Sequence, residues 1–374
     1  YHRNGQGWIG NTKAELQANP HANGNNQAED DNWLMSMNRL QYKGWLADHL
    51  LMTASAYLQY QDGAYRMDLD NYMHRMADKD WKDTGILYDY GLSHWMLGAN
   101  AAVKAYLGNT TLTTGVNGYR FERRHFMADE GMNVPMEEYY DNRGRKNDFS
   151  AFASVRQRIG RQLSVFGNVQ YRHASFSYRD KKDVSFSFGS ADMGTQWDFV
   201  NYGFGLEWRP SKSWNVSARF NEVHREPTRS DMFGGNETFT GELVTLRSER
   251  ARDLEVGVVF NPSSRLSIEA NLYRMWFSGE LVLNGEYGLN RLPCPDNAEE
   301  SYRQGAEVSM TWHIGSRLHL TGSASLSQNR VTPATFGKRT HVLSPSSIAH
   351  ADLAWKADRF SIGLTTDYRS RMFV

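Results

Sequence analysis

Side chains able to do chemistry are plentiful in this chain, yet none are spaced for a common reaction. The 12 histidines are scattered and never form a close ligand pair with a third donor. Asp68-Leu69-Asp70 sets two acids in a polar stretch but lacks the glycine and terminal glutamate of a calcium loop. Glu137-Glu138 beside Tyr139-Tyr140 reads as a solvated loop that would touch a ligand only at its tip. No Ser/His/Asp order, phosphate loop or dinucleotide fingerprint occurs. The single cysteine, Cys294, reads as a loop residue between Pro293 and Pro295 and rules out an intrachain disulfide. No catalytic residue, metal site or cofactor is expected.

The same residue types suit capture better than catalysis. Tyr65, Trp81, Tyr88, Tyr90, Tyr139 and Tyr140, with Arg225 and Arg229, fall in polar connecting stretches, where binding residues concentrate. A second set, Arg156, Arg172, Arg219, Glu207, Glu255, Glu269 and Glu307, occupies alternate positions of strand-like segments. These charges should line an interior as a salt-bridged wall around water or an internal plug, rather than hold a ligand directly.

The elements that would position both sets have a two-residue period. Leu50, Met52, Ala54, Ala56, Leu58 and Tyr60 alternate with smaller or polar residues, and so do Leu163, Val165, Gly167 and Val169. Ala306, Val308, Met310 and Trp312 oppose Glu307, Ser309, Thr311 and His313 in the same way. About fourteen such segments can be counted, each near the roughly ten residues a tilted strand needs to cross a bilayer. Short connections, such as Gly108–Asn109, Pro210–Ser213 and Gly315–Ser316, take turns with long ones near 62–92, 127–147, 179–198, 225–249, 281–300 and 331–346. Residues 1–31 read as a further long polar loop.

Mean hydropathy is -0.65 and no apolar run is long enough for a membrane helix. A transmembrane barrel escapes that test, because only every second strand residue meets lipid. Aromatic content of 13% suits interfacial girdles, and Trp208, Trp214, Trp312 and Trp355 cluster beside the short turns. Formal net charge is +0, which removes the electrostatic case for a nucleic-acid partner. The fold class expected is all-β: a transmembrane antiparallel barrel with short periplasmic turns and long extracellular loops.

One stretch is more specific. Residues 224–233, His-Arg-Glu-Pro-Thr-Arg-Ser-Asp-Met-Phe, follow an alternating segment, and Pro227 should take the chain out of the sheet. The stretch resembles the Arg-x-Pro-Thr-Arg-x-Asp-Leu-Phe segment of TonB-dependent outer-membrane receptors. Residues 248–257, the Leu266–Phe277 strand, the Gln304-Gly305-Ala306-Glu307 strand start and the Tyr368-Arg369-Ser370 ending are similar to later segments of that family, in the same order.

The resemblance implies about 14 of about 22 barrel strands over 1–374, with the family's plug and final strands not found in these residues. It further implies a Gram-negative outer membrane and import of a scarce ligand, most readily a ferric siderophore or other small iron complex. Energy would come from a TonB-type coupling protein through an N-terminal segment. A passive porin and a membrane-anchored adhesin are the alternatives. By itself, the stretch should make an open, curved sheet whose two edge strands lack neighbours.

Overall fold

Alternation becomes a single large antiparallel sheet in the computed structural model, which describes residues 2–5, 10–75, 80–131, 134–183, 192–234, 246–287, 293–332 and 339–373. The chain opens with β1 (His2–Gly5), α1 (Lys13–Ala18), β2 (Asp30–Ala47), β3 (Leu50–Asp68) and α2 (Leu69–Arg75). Five long strands follow: β4 (Ile86–Leu107), β5 (Thr110–Gly131), β6 (Val134–Ile159), β7 (Leu163–Asp183) and β8 (Asp192–Ser211). Then come β9 (Trp214–Arg225), α3 (Arg229–Met232), β10 (Glu249–Ser263), β11 (Leu266–Ser278), β12 (Leu281–Tyr287) and β13 (Pro293–Asn297). The last strands are β14 (Glu300–Ile314), β15 (Leu318–Thr332), β16 (Arg339–Thr340), β17 (Ser347–Lys356) and β18 (Ser361–Arg369).

Sequence neighbours pair along the sheet with two exceptions: β12 and β13 pair only with each other and leave β11 to meet β14, and β16 pairs only with β15, which also meets β17. Of the 16 strands in the main sheet, β1 and β18 are the edges. The short turns close tightly because Gly108, Gly160 and Gly315 take φ of +63, +63 and +72, a region that costs glycine alone nothing.

Register sorts the two faces. Trp208, Val216, Val258, Ala270, Val308, Ala324 and Ala349 are successive cross-strand partners, so they form one apolar row. The adjacent row, Glu207, Ser217, Gly257, Asn271, Glu307 and Ser325, is polar and faces the other way. The apolar face is bare: Leu40 is 78% exposed, Leu326 62% and Phe204 58%. A soluble domain would not leave such a face uncovered, whereas a bilayer covers it. At the short-turn end, Trp214 stacks against Phe260 with centroids 4.2 Å apart, and Trp45 lies 5.8 Å from Tyr106, as an interfacial belt requires.

Several expected loops are strand instead. β3 and β4 run to Asp68 and from Ile86, which puts Tyr65, Tyr88 and Tyr90 in the sheet. β5 and β6 run to Gly131 and from Val134, so Tyr139 and Tyr140 are strand residues too; the side chain of Tyr139 lies outside the described set. β7 and β8 likewise narrow the 179–198 connection, the 281–300 stretch holds the β12–β13 hairpin, and the 1–31 stretch holds β1 and α1. The physical reason is that charged and polar cross-strand pairs replace the apolar face there. Backbone pairing continues there without an apolar face, and Arg145 donates to Glu122 at 3.0 Å on the side that is apolar lower down.

Candidate ligand-binding site

The site begins where β9 leaves the sheet at Pro227. Glu226, only 5% exposed, turns back against the polar face. Lys146 of β6 donates to its carboxylate at 2.5 Å, and two nitrogens of Arg172 of β7 donate at 2.7 and 2.8 Å. Arg172 also donates to Asp148 at 2.9 and 2.6 Å, so the four groups make one charge network. Burial alone would raise the Glu226 carboxyl, but the bonds from Arg172 and Lys146 outweigh it and hold it at about 2.

Thr228 then caps α3. Its hydroxyl accepts from the Asp231 N–H at 3.3 Å, and Asp231 accepts from the Thr228 N–H at 2.8 Å. The cap aims Met232 and Phe233, both buried, at Tyr178 on β7, with Phe176, Met193 and Trp197 packed around them. Tyr178 and Phe233 meet edge to face at 4.8 Å, and the Arg229 guanidinium lies 5.3 Å from the Phe233 ring. Six residues of the 225–233 stretch thus share the work: Glu226 latches, Thr228 and Asp231 turn, Met232 and Phe233 anchor, and Arg229 covers the rings.

This latch walls a pocket of about 620 Å³ against β5, β6, β7 and β8. Arg123, Lys146, Arg172, Arg225 and Arg229 are its cations, and Phe121, Phe176 and Trp197 its aromatic surfaces. His125, also on the wall, accepts from Arg229 at 3.4 Å. Asp148 and Glu226 bind Arg172, Glu226 also binds Lys146, and Glu249 pairs with Arg225 at 2.6 Å. Among the described lining residues five are cations and one, Glu226, is a carboxylate, beside flat apolar surfaces.

Of the candidates read from the sequence, Arg225, Arg229 and Arg172 line this pocket. Tyr65, Tyr90 and Tyr140 do not, but register gathers them with Met127 into one cross-strand row over β3, β4, β5 and β6. Met127 lies two residues beyond His125 toward the long-connection end, so this row is the next level above the pocket wall. Tyr88 sits beside Tyr90 with ring centroids 6.3 Å apart. Trp81 is elsewhere, donating its indole N–H to Asp70 at 2.9 Å. Asp70 is therefore no solvated acid. Burial would raise it, but bonds from Trp81, Thr84 and Gly85 prevail and bring it to about 2.

The wall charges pair locally. Arg156 donates to Glu207 at 2.8 Å, Arg219 is bonded to Glu255, and Glu307 and Glu269 lie in the same polar rows. Lys146, Arg123, His125, Phe121, Trp197 and the Tyr178–Phe233 contact were not legible beforehand. The signal for β5 was present in the alternation Phe121, Arg123, His125, hidden because the intervening residues are charged as well.

Comparison with known proteins agrees with this architecture. The family model described as TonB dependent receptor-like, beta-barrel, matches residues 1–373. The chain belongs to the TonB-dependent receptors. Among solved structures, the copper transporter OprC superposes with a TM-score of 0.72 at 16% identity, covering 90% of this chain and 52% of that one. The ferric-catecholate import receptor Fiu from K12 E. coli gives 0.68 at 13% identity, over 94% and 56%. The unliganded ferric citrate transporter FecA gives 0.69 at 11%, over 96% and 52%. At such identities the likeness is one of fold. No curated protein matches the chain. The chain spans about half the length of these receptors. Members of the family are outer-membrane β-barrels and transporters rather than enzymes.

Proposed function

We propose that the receptor of which this sheet is part imports an anionic metal chelate with flat or aromatic groups, of the ferric siderophore type. The observation that carries this is the pocket under the 225–233 latch, whose described lining sets five cations and a single carboxylate beside Phe121, Phe176 and Trp197. Guanidinium groups match carboxylate or catecholate oxygens, and aromatic faces take the rings that carry them. The Tyr65–Tyr90–Tyr140 row, one level above the pocket wall, would offer further aromatic contacts to such a ligand.

The titles of Fiu and FecA name ferric complexes of anionic chelators, which supports the same class. OprC is named as a copper transporter, but a pocket with surplus cations repels a bare metal ion and favours a chelated one. Capture, gating by a plug and energy from a TonB-type protein would supply the transport cycle, with outer-membrane lipid around the apolar face. Binding of ferric citrate, ferric catecholates and a neutral ferric hydroxamate to the full receptor tests the reading. Anionic complexes should bind tighter, and Arg225→Ala should weaken them. Preference for the neutral complex, or no loss in the variant, overturns it.

A further inference from the structure

At the opposite end of the same face, β14 and β15 are joined by the short turn around Gly315 and set two histidines directly against each other. His313 and His319 are cross-strand partners, next to the closing pair Ile314 and Leu318. The His313 N–H donates to Arg265 O on the β11 side at 2.8 Å, so its backbone bonds point away from β15. The His313–His319 pair is therefore of the non-hydrogen-bonded kind, in which Cα atoms come within about 4.5 Å and side chains are closest. The ring centroids are 4.8 Å apart, the planes are at 81°, and the two Nδ1 atoms meet at 2.5 Å.

We propose that His313 and His319 form a two-imidazole site for a divalent transition-metal ion of the copper, nickel or zinc kind. In the contact as it stands, one Nδ1–H donates to the other Nδ1 lone pair. The two nitrogens meet head-on, so each ring has to swing by roughly 45° for both lone pairs to converge on one ion. Bonds of about 2.0–2.1 Å from a shared ion, taken in adjacent positions of its coordination sphere, set the two nitrogens roughly 3 Å apart. With that swing, which exposed side chains at a turn can make, the nitrogens part by only about half an ångström.

Imidazole suits these ions, and affinity among them peaks at Cu²⁺. Among the described residues, no third His, Cys, Asp or Glu closes the sphere. Water completes it, which makes the site exchangeable rather than structural. An ion held there would tie the two strands together across the turn, at the lumen end remote from the chelate pocket. The proposal is independent of the ligand class argued above.

The test uses the full receptor in detergent, without a histidine tag and with Cu²⁺ as the probe. Titration calorimetry and electron paramagnetic resonance are run on the wild type, His313→Asn, His319→Asn, the double variant and His350→Asn. Either single substitution should weaken one Cu²⁺ equivalent by about tenfold or more and simplify the nitrogen splitting. The double variant should add little, and His350→Asn should change nothing. Detergent resistance of the folded barrel is checked for every variant. Unchanged affinity and splitting in both single variants, or no Cu²⁺ bound by the wild type beyond that of the double variant, overturns the site.

Discussion

Glu226→Ala should release the 225–233 latch without unfolding the sheet. The substitution leaves Lys146 without its carboxylate and Arg172 with only Asp148. Breaking a fully buried pair costs about 3–5 kcal/mol. Here the Lys146 and Arg172 side chains remain 29% and 20% exposed, so water recovers part of that. A local opening cost of about 2–3 kcal/mol remains, equivalent to roughly 30- to 150-fold faster amide exchange. Exchange measured on the full receptor should accelerate across 226–233 while the β14–β15 ladder is unaffected. Glu226→Gln keeps the shape and part of the bonding, and should have a smaller effect.

The sign with pH is fixed by the lowered carboxyl. With the folded value held at about 2, below the roughly 4.3 of a free glutamate, Glu226 stabilises fully above that range. Its contribution fades as pH falls toward 2, and the same amides should loosen there in the wild type. Unchanged exchange at 226–233 in Glu226→Ala, or an equal rise over the whole sheet, refutes the latch.

Face assignment predicts that Val216→Arg costs about 2–4 kcal/mol if it lies near the bilayer midplane, and Ser217→Arg much less; reversed costs in folding titrations into lipid would invert the sheet. An epitope inserted within 235–245 should be labelled on intact cells, and one at Lys212 in the β8–β9 turn should not. Phe233→Ala should open the same segment as Glu226→Ala by about 3 kcal/mol or more, read by limited proteolysis, because Phe233 is the anchor buried against Tyr178. Trp81 fluorescence should be steady above about pH 4 and change as pH falls toward 2, where Asp70 loses the charge that holds the indole.

The sheet was legible from sequence where lipid imposes a period, as in Val308-Ser309-Met310-Thr311-Trp312, and the turns beside those segments were legible with it. It was not legible at residues 141–148, where β6 runs on as Asp-Asn-Arg-Gly-Arg-Lys-Asn-Asp with polar residues on both faces. That loss is why Tyr65, Tyr88, Tyr90 and Tyr140 were read as loop residues. Arg225 and Arg229 were found through the motif, but what the motif docks onto was not. Lys146, Arg172 and Tyr178 come from strands far off in sequence, and only register brings them to Glu226.

The length of β6 sets how the pocket meets the world outside. Lys146 lies about 13 residues above Ile159, which at 3.3 Å per residue and a tilt near 40° is roughly 33 Å of height. The apolar band of such a barrel is only about 25 Å tall, so the arginines stand clear of hydrocarbon by about one Debye length. Their pull on an anionic complex is therefore open to dissolved salt. Dilute fresh water should quicken arrival at the pocket, and saline fluid should slow it, through the encounter rate more than the residence time.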